Sequence, residues 1–125
     1  MLKKEGLGWR LSIDPKRKVF PVLIGGDGWA IELTQKEWHE LFSLISDLTD
    51  QHKDIEGHLM HEEALEIELE RNLWWGCLEG NKYSWNLAFV LKSDEAHFRG
   101  VEFCWPTPAS DEVVNAMRNI WDSYH

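Results

Sequence analysis

Along Ala64-Leu65-Glu66-Ile67-Glu68-Leu69-Glu70, apolar and acidic side chains alternate without a break. That is the period of a strand with one face in a core and the other in water, so Leu65, Ile67 and Leu69 are expected inward and Glu66, Glu68 and Glu70 outward. The same period runs through Leu7–Ile13 and Trp29–Leu33 on the N-terminal side and through Tyr83–Leu91 and Val101–Trp105 on the C-terminal side, while Val19–Ile24 and Leu73–Leu78 are further strand runs. Two stretches switch to helical spacing. Trp38, Leu41, Phe42, Ile45 and Leu48 form one apolar stripe, and Val113, Val114, Met117, Ile120, Trp121 and Tyr124 form the other. Thr34-Gln35-Lys36-Glu37 has the form of a capping box, Gly57 ends the first helix after it fades near Gln51–Ile55, and Ser110 reads as the cap of the second.

The breaks between these runs fit hairpins. Asp14-Pro15 closes the first run, and Lys16-Arg17-Lys18 forms an exposed turn; Pro21 suggests an edge strand or a bulge. Gly25-Gly26-Asp27-Gly28 joins two strands, lacks the Lys-Ser/Thr of a phosphate loop and opens no helix, so it reads as a hairpin turn. Turns are expected at Glu79-Gly80-Asn81 and around Ser93–Ala96, and Pro106-Thr107-Pro108 stops the last strand. The order βββα-ββββα implies an α+β fold, antiparallel sheets carrying two helices in a single domain over residues 1–125. The arrangement suggests two related halves, although no sequence repeat supports a duplication.

Composition sharpens this picture in three ways. With 125 residues, 43% of them hydrophobic, the chain is long enough to bury roughly two thirds of its surface. Lys3 and Lys4 precede no apolar run, no stretch approaches the roughly 18 apolar residues of a membrane span, and Cys77 and Cys104 read as reduced thiols; a cytoplasmic protein without a membrane partner is expected. The net charge of −9 is uneven: residues 1–18 carry +4 and the remainder −13. An acidic body repels polyanions, whereas the Lys16-Arg17-Lys18 tip could still meet a phosphate.

Little in the chain points to chemistry. His58, His61 and Glu62, with His52 and Glu63 nearby, have metal-like spacing but not the His-Glu-x-x-His order of zinc peptidases, and they read as a polar connector. Cys77 and Cys104 form no CxxC pair, and nothing in the spacing couples either to His97. The pairs Glu62-Glu63 and Asp94-Glu95 fall in connectors. No enzyme, metal or cofactor is expected.

Eight tryptophans remain to be explained. Trp9, Trp29, Trp85 and Trp105 alternate with inward apolar residues, and Trp38 and Trp121 lie on helix stripes, so six read as core, each indole needing a hydrogen-bond partner. Trp74 and Trp75 are adjacent on a strand and point to opposite faces, so only one can share a given core.

The segments Gly8-Trp9-Arg10-Leu11, Asp14-Pro15, Phe20–Gly26 and Trp29–Thr34, with Leu65–Glu70 and Arg99–Phe103, resemble a family of cyanobacterial proteins of about this length, the domain-of-unknown-function family eighteen-eighteen. The resemblance covers nearly the whole chain. It implies a fold similar to the Whirly-type single-stranded-DNA-binding regulators, two sheet-plus-helix repeats in one chain. The family has no assigned activity, so it lends no functional residues.

The leading expectation is a non-enzymatic binding or regulatory module that docks a protein partner, because a water-facing acidic strand and a separate basic turn favour electrostatically complementary contacts. Single-stranded nucleic acid bound through Lys16, Arg17, Lys18 and exposed aromatics is the alternative, followed by a small molecule or pigment. The candidate binding residues are Trp74, Trp75, Lys16, Arg17, Lys18, Glu66, Glu68 and Glu70.

Overall fold

Strand alternation and the Thr34 cap organise the chain as its pattern implies, with one strand added at the N-terminus. The computed structural model describes residues 1–93 and 99–124, the side chain of Tyr124 excepted. Its order is ββββα-ββββα: β1 (Leu2–Gly6), β2 (Trp9–Ile13), β3 (Val22–Gly26), β4 (Trp29–Leu33), α1 (Gln35–Glu56), β5 (Leu65–Arg71), β6 (Trp74–Gly80), β7 (Trp85–Leu91), β8 (Val101–Trp105) and α2 (Ala109–Tyr124). Strands β1–β4 form an antiparallel N-terminal sheet and β5–β8 a C-terminal one, each with its strands in sequence order.

Four sequence expectations need correction. The first half has four strands, not three. Leu2-Lys3-Lys4-Glu5-Gly6 carries too few apolar residues to show a period, and backbone pairing with β2 makes it a strand, from Leu2 opposite Ile13 to Gly6 opposite Trp9. Leu7 therefore sits in the β1–β2 loop, 88% exposed. Pro21 is neither edge nor bulge, since its carbonyl accepts from the Asp14 amide at 2.8 Å and β3 starts one residue later. Ser110 is not a cap. Its amide already donates to the Pro106 carbonyl at 3.1 Å, inside the helix, and its hydroxyl donates to the Trp85 carbonyl. Tyr83 is exposed ahead of β7, and the turn expected around Ser93–Ala96 lies largely outside the described residues.

The capping box forms as expected: the Glu37 amide donates to Thr34 Oγ1 at 3.1 Å, and the Thr34 amide donates to Glu37 Oε1 at 2.8 Å. Gly57 ends α1. The two helices exchange halves. α1 packs on β5 and β6 of the C-terminal sheet, and α2 packs on β1 and β2 of the N-terminal sheet as well as on β7. One continuous core results, with Leu11, Ile24 and Leu33 from the first sheet, Leu78, Leu87 and Phe89 from the second, and Trp38, Leu41, Leu44, Val113 and Met117 from the helices.

Aromatic rings join the sheets. Trp29 on β4 lies 4.6 Å from Phe103 and 5.4 Å from Trp105 on β8, and Trp105 Nε1 donates to the Gly25 carbonyl at 2.9 Å. Arg99, just before β8, donates to the Glu32 carbonyl and the Glu37 carboxylate, and its guanidinium lies 4.7 Å from the centre of the Phe20 ring. Gly6-Leu7-Gly8-Trp9 and Gly26-Asp27-Gly28-Trp29 are hairpins of one build, a short echo that the alternation pattern hides. The indole after each loop lies over the glycine before it: a Cβ on Gly6 would meet Trp9 Nε1 at 2.4 Å, and one on Gly26 would meet Trp29 Nε1 at 2.3 Å. Among the described residues Trp9 Nε1 and Trp38 Nε1 have no hydrogen-bond partner, contrary to the expectation for buried indoles.

The glycines make this testable. Gly26→Ala must displace the Trp29 ring, which Phe103 and Trp105 hold, and is expected to cost about 1–3 kcal/mol in denaturant unfolding. Gly57 has right-handed helical φ and open space around it, so Gly57→Ala is expected to be neutral or to stabilise by up to about 1 kcal/mol. Equal effects would contradict the ring-over-glycine account.

Candidate interaction face

Strand alternation builds the site. With Leu65, Ile67 and Leu69 of β5 turned toward the core, Glu66, Glu68 and Glu70 are exposed on the opposite face. On β6, Trp74, Gly76 and Leu78 are buried on the core side, and Trp75, Cys77 and Glu79 share the outer face with the glutamates. Registers then fix three rows across the outer face. Glu70, Trp75, Val90 and Glu102 form one, Glu68, Cys77, Ala88 and Cys104 the next, and Glu66, Glu79 and Asn86 the third. The result is an apolar centre framed by five carboxylates.

Trp75 decides where the face begins. The other seven tryptophans belong to the core or pack against it, Trp74 with no exposure and with its Nε1 donating to the Glu37 carbonyl at 3.1 Å. Trp74, expected as a candidate binding residue, is instead a core residue whose fully buried ring can meet no ligand. Trp75 is half-buried and borders a depression of about 400 Å³ together with Cys77, Ala88, Cys104, Pro106 and Glu66.

The carboxylates shape the local chemistry. Cys77 Sγ lies 3.7 Å from Glu66 Oε1. Burial first, then the charges of Glu66, Glu68 and Glu79, push the Cys77 thiol from 9.0 up to about 11. Ligand atoms of Glu66, Glu68 and Cys77 lie within 4.8 Å of one another, the one such group of three among the described residues. A thiol held in its protonated form binds a metal only by losing that proton. Lys92 Nζ approaches Glu70 at 3.6 Å and offsets only part of the charge.

The other expected residues lie elsewhere. Lys16, Arg17 and Lys18 are exposed in the β2–β3 connection of the N-terminal sheet, and Arg17 is tied to Glu32 at 2.9 Å. His58, His61, Glu62 and Glu63 are exposed in the α1–β5 connection, while His52 is buried with its Nε2 3.0 Å from the Asn81 carbonyl. His97, Asp94 and Glu95 lie outside the described residues. A groove of about 460 Å³ between the helices is lined by Lys53, Lys82 and Arg118 and by Asp50, Glu56 and Asp111, so these formal charges cancel.

The sequence pattern exposed the three glutamates and narrowed the outward ring to Trp74 or Trp75, but missed Val90, Ala88, Cys104, Glu79 and Glu102. The available signal was apolar residues at both parities of β6 and β7, which marks a strand with something to cover on each face.

The sequence model of one family, Domain of unknown function (DUF1818), matches residues 4–120. The chain belongs to this family. A crystal structure from Prochlorococcus sp. NATL2A, of a protein with unknown function described as DUF155, shares 45% identity and a TM-score of 0.92 with it. The match covers 97% of this chain and 99% of that one. No curated protein matches the chain. The family description supplies no activity, so a functional reading rests on the face itself.

Two outcomes follow from the geometry. Trp74→Ala is expected to cost about 3–5 kcal/mol in chemical unfolding and Trp75→Ala about 1 kcal/mol or less, reversing only if Trp75 is a core residue. The raised Cys77 pKa means that its protonated form belongs to the fold. Its contribution is complete below pH 9.0 and is lost as pH rises through about 11. Across that window the wild type is expected to lose stability relative to Cys77→Ala, whereas parallel pH profiles would contradict the assignment.

Proposed function

We propose that this chain is a non-enzymatic binding module that docks a protein partner on the outer face of its C-terminal sheet. The observation that carries the reading is the position of Trp75, the one tryptophan outside the core, beside Val90, Ala88 and Cys104 in a frame of five carboxylates. An apolar centre with an aromatic anchor and a charged rim is the usual anatomy of a protein interface. Steering by the rim favours a partner of opposite charge.

Single-stranded nucleic acid stands second. Lys16 and Lys18 have no ion-pair partner among the described residues, which favours a phosphate contact there. Base stacking needs an aromatic beside those cations, however, and Trp75 lies on the other sheet among carboxylates that repel phosphate. For a small molecule or pigment, the outer face offers the depression of about 400 Å³ beside Trp75.

Photo-crosslinking in native extract tests the docking reading. A benzophenone side chain at position 90 is expected to capture a discrete partner that is lost when Trp75→Ala is added. The same group at position 30, on the exposed outer face of the N-terminal sheet, is expected to capture none. Equal capture from both faces, or capture insensitive to Trp75→Ala, would overturn the assignment.

A further inference from the structure

The way β5 ends its sheet narrows the occupant of the docking face proposed above, on which this inference rests. β5 is an edge strand, hydrogen-bonded to β6 alone. Which of its peptide groups remain open follows from two observations. Arg71 and Trp74 flank a two-residue loop, Asn72-Leu73, in which Asn72 takes φ +51°. A pair that closes such a loop is a hydrogen-bonded pair. Independently, the Lys92 amide donates to the Leu73 carbonyl at 2.9 Å, which turns Leu73, and with it Trp75 and Cys77, toward β7. Trp74, Gly76, Leu78 and Gly80 must then turn toward β5, where their opposite residues are Arg71, Leu69, Ile67 and Leu65. The peptide groups of Glu66, Glu68 and Glu70 consequently face away from the sheet, at the open edge.

The same three residues thus present two kinds of valence. Their amides and carbonyls line the edge, and their carboxylates stand in a row on the outer face, spaced by about 7 Å, the two-residue repeat of a strand. Among the described residues only the Glu70 carbonyl is otherwise engaged, by Arg71 Nη1 at 3.0 Å. Among the described residues no backbone hydrogen bond reaches this edge from elsewhere.

We propose that β5 is extended by a strand from a basic protein partner, an extended segment with lysine or arginine at every second residue opposite Glu66, Glu68 and Glu70. Main-chain bonds supply the affinity and the charge ladder supplies the register. The intervening side chains of the added strand lie toward the core-facing side, while its cations border the apolar centre formed by Trp75, Cys77 and Ala88.

A second copy of this chain fits poorly. Antiparallel pairing of β5 with itself sets glutamate against glutamate, and the other strand rich in lysine, β1, carries Glu5 in the same row as Lys3. Charge on an edge strand protects against self-pairing, and three carboxylates in register also select for the opposite charge. A helical cationic segment could match part of the charge but would leave the edge peptides unused.

Two capped synthetic peptides of identical composition test this, one alternating lysine with valine and threonine, the other with its lysines contiguous. Each is titrated into the isotope-labelled full chain and read by amide hydrogen exchange. The alternating peptide is expected to slow exchange at Glu66, Glu68 and Glu70 by about tenfold or more at saturation, leaving the N-terminal sheet unchanged. The triple variant E66K/E68K/E70K, altered only at exposed positions, is expected to lose this protection and to gain it from an alternating glutamate peptide. Equal binding of both lysine peptides, or binding without slowed exchange at those amides, would overturn strand addition. If crosslinking from position 90 still depends on Trp75 in that case, docking on the face survives and only the strand fails; if it does not, both readings fail together.

Discussion

The two sheets are held to each other by an indole. Trp105 closes β8, and its Nε1 donates to the Gly25 carbonyl on β3, 80 residues distant in sequence. A buried indole N–H left unpaired is costly, so the bond fixes where the sheets meet as well as adding apolar contact. The surrounding residues fit that requirement. Trp29 can lie against Phe103 and Trp105 because Gly26, opposite it on β3, leaves room for the ring. Phe89 and Trp74 extend the same cluster into the C-terminal sheet.

With the sheets fixed in this way, each helix finds its cover on the half that it does not follow. α1 lies on β5 and β6, α2 chiefly on β1 and β2, and Phe42 stacks on Trp121 where the helices approach, with ring centroids 4.3 Å apart. Arg99 secures the exchange from the other side by joining the start of β8 to the first turn of α1 and the end of β4. Both helices are thereby used on inner faces, and neither sheet has a helix left for its outer face. The two outer faces differ in charge. On the N-terminal sheet Glu5 stands opposite Arg10 and Arg17 pairs with Glu32, so the charges compensate. On the C-terminal sheet five carboxylates meet Lys92 alone among the described residues.

Legibility followed the strength of the local signal. The alternation of residues 65–70 exposed both the strand and its glutamate row, and the Thr34–Glu37 box located the start of α1 to the residue. β1 was hidden because only pairing with β2 makes it a strand, and Ser110 misled because a serine after two prolines looks like a cap until the Pro106 carbonyl is seen to accept its amide. Adjacent tryptophans told that one ring must leave the core but not which. The Glu37 carbonyl that receives Trp74 Nε1 is a tertiary partner, invisible to any local rule. The apolar centre was harder still, since Val90, Ala88 and Cys104 become neighbours of Trp75 and Cys77 only through registers spanning three strands.

The glutamate row has a cost that a purely structural strand would avoid. Carboxylates on alternate positions of β5, with Glu79 opposite Glu66 on the next strand, repel one another in the free protein, and like charges directly opposite weaken a strand pair. Cys77 registers the same field, since those carboxylates, after burial, hold its thiol protonated to about pH 11. Charge on an edge strand also deters a second edge, which accounts for part of the row. A row kept complete on the open edge, and continued around an apolar centre that no helix covers, is better matched to a cationic neighbour whose arrival relieves the repulsion and covers the tryptophan in the same step.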